Sequence, residues 1–171
     1  ATAALQIPAK SLSLAATIST LAAAATVITS GFLGDRLGRR RVLLAALLLS
    51  AVGDLLAAGA IGTPMYMLGR LLAGAGLGAA FSASFAYVRT VAGEGKLGSA
   101  LGLWTAQLTL LAILGGVLGG ELTQSVSWRL AMCIVPVLCL IGAAATLQVL
   151  PVVPPSDQAK PDYLGQALLM G

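Results

Sequence analysis

Five stretches of this chain are long and apolar enough to cross a lipid bilayer, and no other feature limits its fold so tightly. A helix needs about 20 mainly apolar residues to span the hydrocarbon core. Residues 12–33, 42–60, 64–88, 97–120 and 130–150 each reach that length, the third interrupted by Arg70, and a further apolar run begins near Tyr163. Only 9% of the 171 residues are charged and 58% are hydrophobic, whereas an average soluble domain is about 25% charged. So few charges could not cover a soluble surface, so the outer surface faces lipid. No segment of about ten residues alternates apolar with polar, which excludes a transmembrane β-barrel. The expected fold is an all-α membrane protein, a polytopic transmembrane helix bundle.

Several function classes fall away at once. The net charge of +4 gathers in short segments rather than on a basic face with interleaved aromatics, so no nucleic-acid partner is expected. The chain has no His, which removes His-dependent metal sites and triads. Cys133 and Cys139 are six apart in one apolar run, on different faces of a helix, and read as buried thiols rather than a disulfide. No catalytic residue, metal or cofactor is expected. Residue 1 is Ala, no signal peptide is visible, and the last apolar run is cut short at Gly171, so the chain reads as part of something longer.

The breaks between spans orient the bundle. Arg36, Arg39, Arg40 and Arg41 lie in the first break, Arg89 and Lys96 flank the third, and Lys160 lies in the fifth, so seven of the ten basic residues fall on alternate loops. The positive-inside rule makes those loops cytoplasmic and puts Lys10 outside. The spans also carry small residues at spacing four: Gly74 with Gly78, Gly98 with Gly102, Gly115 with Gly119, and Gly116 with Gly120. Such pairs let helix backbones approach closely in lipid. By themselves they indicate a tightly packed bundle and nothing more specific.

The segment Gly31-Phe32-Leu33-Gly34-Asp35-Arg36-Leu37-Gly38-Arg39-Arg40-Arg41-Val42-Leu43 is the most informative. Physically it is a tight cytoplasmic reversal. Gly31, Gly34 and Gly38 permit close approach and unusual φ, Asp35 can bond backbone donors at a helix start and pair with Arg39 four residues on, and the arginines can anchor to phosphate headgroups. Position for position it resembles the signature loop of the major facilitator superfamily, G-x-L-a-D-r-x-G-r-r-x-x-l, between that family's second and third helices.

The rest of the chain is similar to that family in order. Gly69-Arg70 followed by the Gly-rich run to Ala80 resembles its fourth-helix motif, with Ala73 in place of the usual Gln. Gly115-Gly116-Val117-Leu118-Gly119-Gly120 resembles the fifth-helix antiporter motif, with Gly116 replacing the Pro and Leu111 the first Gly. Ser127-Trp128-Arg129 with Pro136 resembles the following loop and helix, and Pro161-Asp162-Tyr163-Leu164-Gly165 resembles the opening of the next helix in the fourteen-helix drug:proton antiporter branch. The resemblance implies residues 1–150 as a partial N-terminal transmembrane bundle, 151–162 as a cytoplasmic linker and 163–171 as the start of the next transmembrane helix.

It also implies a function: proton-coupled efflux of small drug-like compounds by alternating access, in the plasma or inner membrane, with a C-terminal half of the same transporter as partner. Arg70 would couple to protons, and Asp35 with the loop arginines would form a cytoplasmic latch. The alternatives are a uniporter or symporter for sugars, siderophores or other metabolites, and a non-transporting membrane sensor or assembly protein. Asp54 is not explained by the resemblance. It lies 13 residues past Arg41, about 20 Å into the bilayer, and Arg70 lies six residues past Pro64, about 9 Å in from the other side. In a core about 30 Å thick these depths nearly coincide. An Asp54–Arg70 pair is one reading; a protonated Asp54 facing protein and an Asp54 reaching for the outer headgroups are the others.

Overall fold

A computed structural model describes residues 9–93, 95–125 and 128–150. They form five helices: α1 (Ala9–Leu37), α2 (Arg39–Ala58), α3 (Thr63–Val91), α4 (Leu97–Ser125) and α5 (Trp128–Val149). All five contain a stretch long and apolar enough to cross a membrane. The expected linker and the run from Tyr163 lie outside the described residues.

Several helices overrun the apolar stretches that predict them. α1, α3 and α4 are each 29 residues long, about 44 Å at the α-helical rise, close to the bilayer thickness with headgroups included. The reason is backbone hydrogen bonding: a chain in lipid satisfies its own N–H and C=O groups until it reaches water. The signature loop is accordingly mostly helical. Asp35, Arg36 and Leu37 end α1, Arg39 starts α2, and the reversal falls on Gly38 alone, at φ 92 and ψ 127. Glycine reaches that left-handed φ without a Cβ penalty. The Gly38 N–H donates back to the Gly34 carbonyl at 3.1 Å, and the Gly38 carbonyl accepts from Arg41 and Val42.

The bundle is inside-out relative to a soluble protein. Its buried apolar positions are largely alanines, among them Ala46, Ala51, Ala57, Ala73 and Ala83, whereas Leu103, Leu110, Leu111, Ile113 and Val117 of α4 point outward. α3 is central, with α2 along one flank and α1 along another, and α5 packs on α2. Glycines set the spacing. A Cβ at Gly53 of α2 would lie 2.3 Å from the Ala73 nitrogen, one at Gly69 2.6 Å from the Ala57 nitrogen, and one at Gly76 2.4 Å from the Ser50 nitrogen. On the α1 flank, a Cβ at Gly74 would fall 2.2 Å from the Ser19 carbonyl oxygen and one at Gly78 2.2 Å from that of Ala23. No side chain fits there, so α3 lies backbone to backbone with both neighbours.

α4 is held differently. Trp104 packs at a tilt of 55° and 60° against the Phe81 and Phe85 rings of α3, with centroids 5.0 and 5.3 Å away. The packing role expected for Gly115, Gly116, Gly119 and Gly120 is not realised among the described residues: a Cβ at any of them would meet nothing within 4 Å. α4 lies at the edge of the described bundle and touches α3 and α5 only lightly.

Candidate functional site

The glycine contacts carry two charges into one place. Gly53 precedes Asp54 and Gly69 precedes Arg70, so the close approach of α2 and α3 at the glycines brings the charged neighbours together. Arg70 Nη1 lies 3.3 Å from Asp54 Oδ1 and donates to it. Asp54 is 3% exposed. Gly74, one turn beyond Arg70, seats α3 against the Ser19 backbone, and Arg70 Nη2 is 3.5 Å from the Ser19 hydroxyl, to which it donates. One guanidinium therefore links α1, α2 and α3 within the apolar stretches. Of the three readings of Asp54, this geometry corresponds to the pair.

A carboxylate in hydrocarbon is costly, and an adjacent guanidinium offsets much of that cost. Chemically, the arrangement can exchange an ion pair for a protonated acid and a released arginine. The sequence points to neither Ser19 nor Gly53, and to Gly69 only as part of the Gly69-Arg70 motif. For the two glycines a signal was nonetheless present, as the spacing Gly53 to Ala57 and Gly69 to Ala73 at four residues.

A double-mutant cycle measures the pairing. Asp54→Asn and Arg70→Gln, singly and together, are scored for thermal stability of the full-length protein in detergent. The expected result is a double mutant more stable than the two losses predict, with an interaction energy of about 0.5–3 kcal/mol. Strictly additive losses contradict direct contact.

The second cluster sits at the end that the charge pattern places in the cytoplasm. Asp35 Oδ1 accepts from Arg39 at 2.9 Å (Nη2) and 3.3 Å (Nε). Arg39 Nη1 also donates to the Ala86 carbonyl and the Thr90 hydroxyl of α3. Arg40 turns the other way: its Nε donates to the Thr146 carbonyl at 3.3 Å and its Nη2 to the Leu147 carbonyl at 2.5 Å. The Thr146 carbonyl also accepts from the Leu150 N–H at 3.3 Å, and a cation there answers the negative dipole end of α5. Arg36 lies over the Phe32 ring at 4.6 Å. Gly34 packs on the Arg39 stem, and Gly31 faces Ser82 of α3 at 3.6 Å for an added Cβ. Within one short segment Gly31 and Arg39 thus tie α1 and α2 to α3, and Arg40 ties α2 to α5. Among the described residues no group of three His, Cys, Asp or Glu could hold a metal.

Five apolar helices, a buried ion pair between them and a basic loop at one end define a multi-pass membrane helix bundle. The sequence matches the Major Facilitator Superfamily over residues 1–167, and the chain belongs to that family. It is 36% identical over 141 residues to an uncharacterized MFS-type transporter of Mycobacterium tuberculosis (strain CDC 1551 / Oshkosh), covering 81% of this chain and 20% of that protein. It is 30% identical over 149 residues to a multidrug resistance protein B homolog of the same strain, covering 87% and 28%. It is also 30% identical over 128 residues to the galactose-proton symporter of Escherichia coli (strain K12), covering 70% and 26%. The chain therefore spans between a fifth and under a third of the length of these relatives. The family's members are carriers of small molecules, not enzymes.

Proposed function

We propose that this chain is the partial N-terminal bundle of a proton-coupled exporter of small drug-like compounds in the plasma or inner membrane. It would rock against a C-terminal half of the same transporter about a midplane site, opening it to each side in turn. The observation that carries the reading is the Asp54–Arg70 pair, a protonatable acid 3% exposed and held by a guanidinium between spanning helices. Intramembrane charges of this kind mark ion and proton pathways. The resemblance to a multidrug resistance protein B homolog supports the choice of export.

The test is proton movement in everted membrane vesicles from cells making the full-length transporter, acidified inside and challenged with lipophilic cations, ethidium first. Export predicts that adding the cation dissipates the pH gradient. No response to any cation removes this reading. The likeness to the galactose-proton symporter favours a second one, sugar–proton symport. Under it, galactose or another sugar added to intact cells alkalinises the medium, and the cations do nothing.

In this reading Asp35 belongs to a cytoplasmic latch. Its carboxylate is partly exposed and serves charge rather than packing. Asp35→Asn is expected to leave the protein inserted and to slow transport several-fold, measured as initial rate per inserted protein. Wild-type rates from well-expressed Asp35→Asn protein remove the latch role.

A further inference from the structure

α1 and α2 leave between them a groove of about 400 Å³ that the Asp54–Arg70 site does not touch. It opens because the residues along it are small where the helices would otherwise meet: Ala45, Ala46 and, from α3, Ala79. Its long walls are leucines, Leu33 and Leu37 from α1 and Leu49 from α2. Three hydroxyls also line it, but each is spent on backbone. Thr26 donates to carbonyls that include Ala75 at 2.9 Å, Thr29 to Ala25 at 3.2 Å and Ser30 to Val27 at 3.2 Å. The trough therefore presents no free donor along its length.

At its cytoplasmic end stands Arg41, the one charged residue lining it. Arg39 and Arg40 beside it are engaged by protein oxygens. Arg41 is exposed and has no protein partner among the described residues. From Arg41 to Leu49 is eight residues, about 12 Å down α2 into the bilayer. A groove that is apolar for that depth and ends at headgroup level in a cation with no partner among the described residues is complementary to an amphiphile with an anionic head. It is a poor match for a polar solute, which would leave its hydrogen bonds unmet.

We propose that this groove binds one anionic phospholipid, its phosphate on Arg41 and one acyl chain along Leu33, Leu37 and Leu49. Native mass spectrometry of the purified full-length transporter tests it, with phosphatidylglycerol or phosphatidylcholine added to the micelles. The wild type is expected to retain a phosphatidylglycerol molecule in preference to phosphatidylcholine. Arg41→Gln should weaken phosphatidylglycerol retention about fivefold, as expected for one basic residue at an anionic surface, and leave phosphatidylcholine unchanged. Arg41→Lys should keep the preference, and Ala45→Phe, which fills the trough, should remove the retained lipid. If Ala45→Phe does not yield folded protein, the two Arg41 variants still decide. Equal phosphatidylglycerol retention by wild type and Arg41→Gln overturns the proposal. So does a lipid held without headgroup preference, or one that persists in folded Ala45→Phe.

Discussion

Replacing Arg70 by lysine is expected to reduce proton-coupled transport by the full-length carrier to the level of empty vesicles, although the charge is kept. The guanidinium uses two nitrogens in two directions, Nη1 toward Asp54 at 3.3 Å and Nη2 toward Ser19 at 3.5 Å. A planar fork can hold both at once; a lysine ammonium is a compact charge on a flexible stem and cannot reproduce that geometry. Asp54 would keep a nearby cation but lose its fixed partner, and the tie to α1 would be lost. Arg70→Ala goes further, since it leaves a carboxylate buried without compensation, a change that commonly costs about 3–5 kcal/mol. Proton-driven transport normalised to inserted protein is the readout. Unchanged rates in Arg70→Lys show that charge alone suffices.

The second large effect needs no charge at all. Gly53→Ala is expected to destabilise the bundle by about 1–3 kcal/mol, the usual cost of forcing an added methyl into a filled space. The new Cβ would stand 2.3 Å from the Ala73 nitrogen and 2.8 Å from the Gly69 carbonyl oxygen. Both are backbone atoms, so only separation of α2 from α3 can relieve the clash. In lipid, where packing takes the place of the hydrophobic drive between helices, that separation removes the main adhesion between them. It also draws Asp54 away from Arg70, so transport should fall together with stability. Gly93→Ala is the control: a Cβ there meets nothing within 4 Å, and a change within about 0.5 kcal/mol is expected of such a site. Thermal unfolding in detergent compares the two. Equal midpoints would show that the close approach at Gly53 does not hold the helices together.

The spans were legible because length and hydropathy alone decide them, and the family was legible from the loop around Asp35. The ends were harder to read. Gly34 to Arg41 looks like a charged loop, yet the backbone stays helical except at Gly38, because the headgroup region does not interrupt intrahelical bonding. The level of Asp54 and Arg70 followed from counting residues in from Arg41 and from Pro64, but counting gives depth and not facing. Facing is set by Gly53 and Gly69, which dictate how α2 and α3 are rotated against each other. Ser19 could not be reached in this way, since its place depends on the register of α1 against Gly74 and Gly78. Arg40's grip on Thr146 and Leu147 likewise needs the position of the α5 terminus, more than a hundred residues away in sequence. Gly115 to Gly120 read differently: spacing alone suggested a packed face, and an added Cβ at Gly115, Gly116, Gly119 or Gly120 meets nothing within 4 Å among the described residues.

If Asp54 carries the proton, neutralising it should separate substrate movement from proton movement. Asp54→Asn keeps the shape of the side chain and mimics its protonated form. Everted vesicles bearing the full-length variant can be assayed twice with the cation that the wild type exports: for exchange with no pH gradient, and for accumulation driven by one. The prediction is that exchange persists while gradient-driven accumulation is lost. Gradient-driven accumulation by Asp54→Asn at the wild-type rate would contradict a coupling role for the pair.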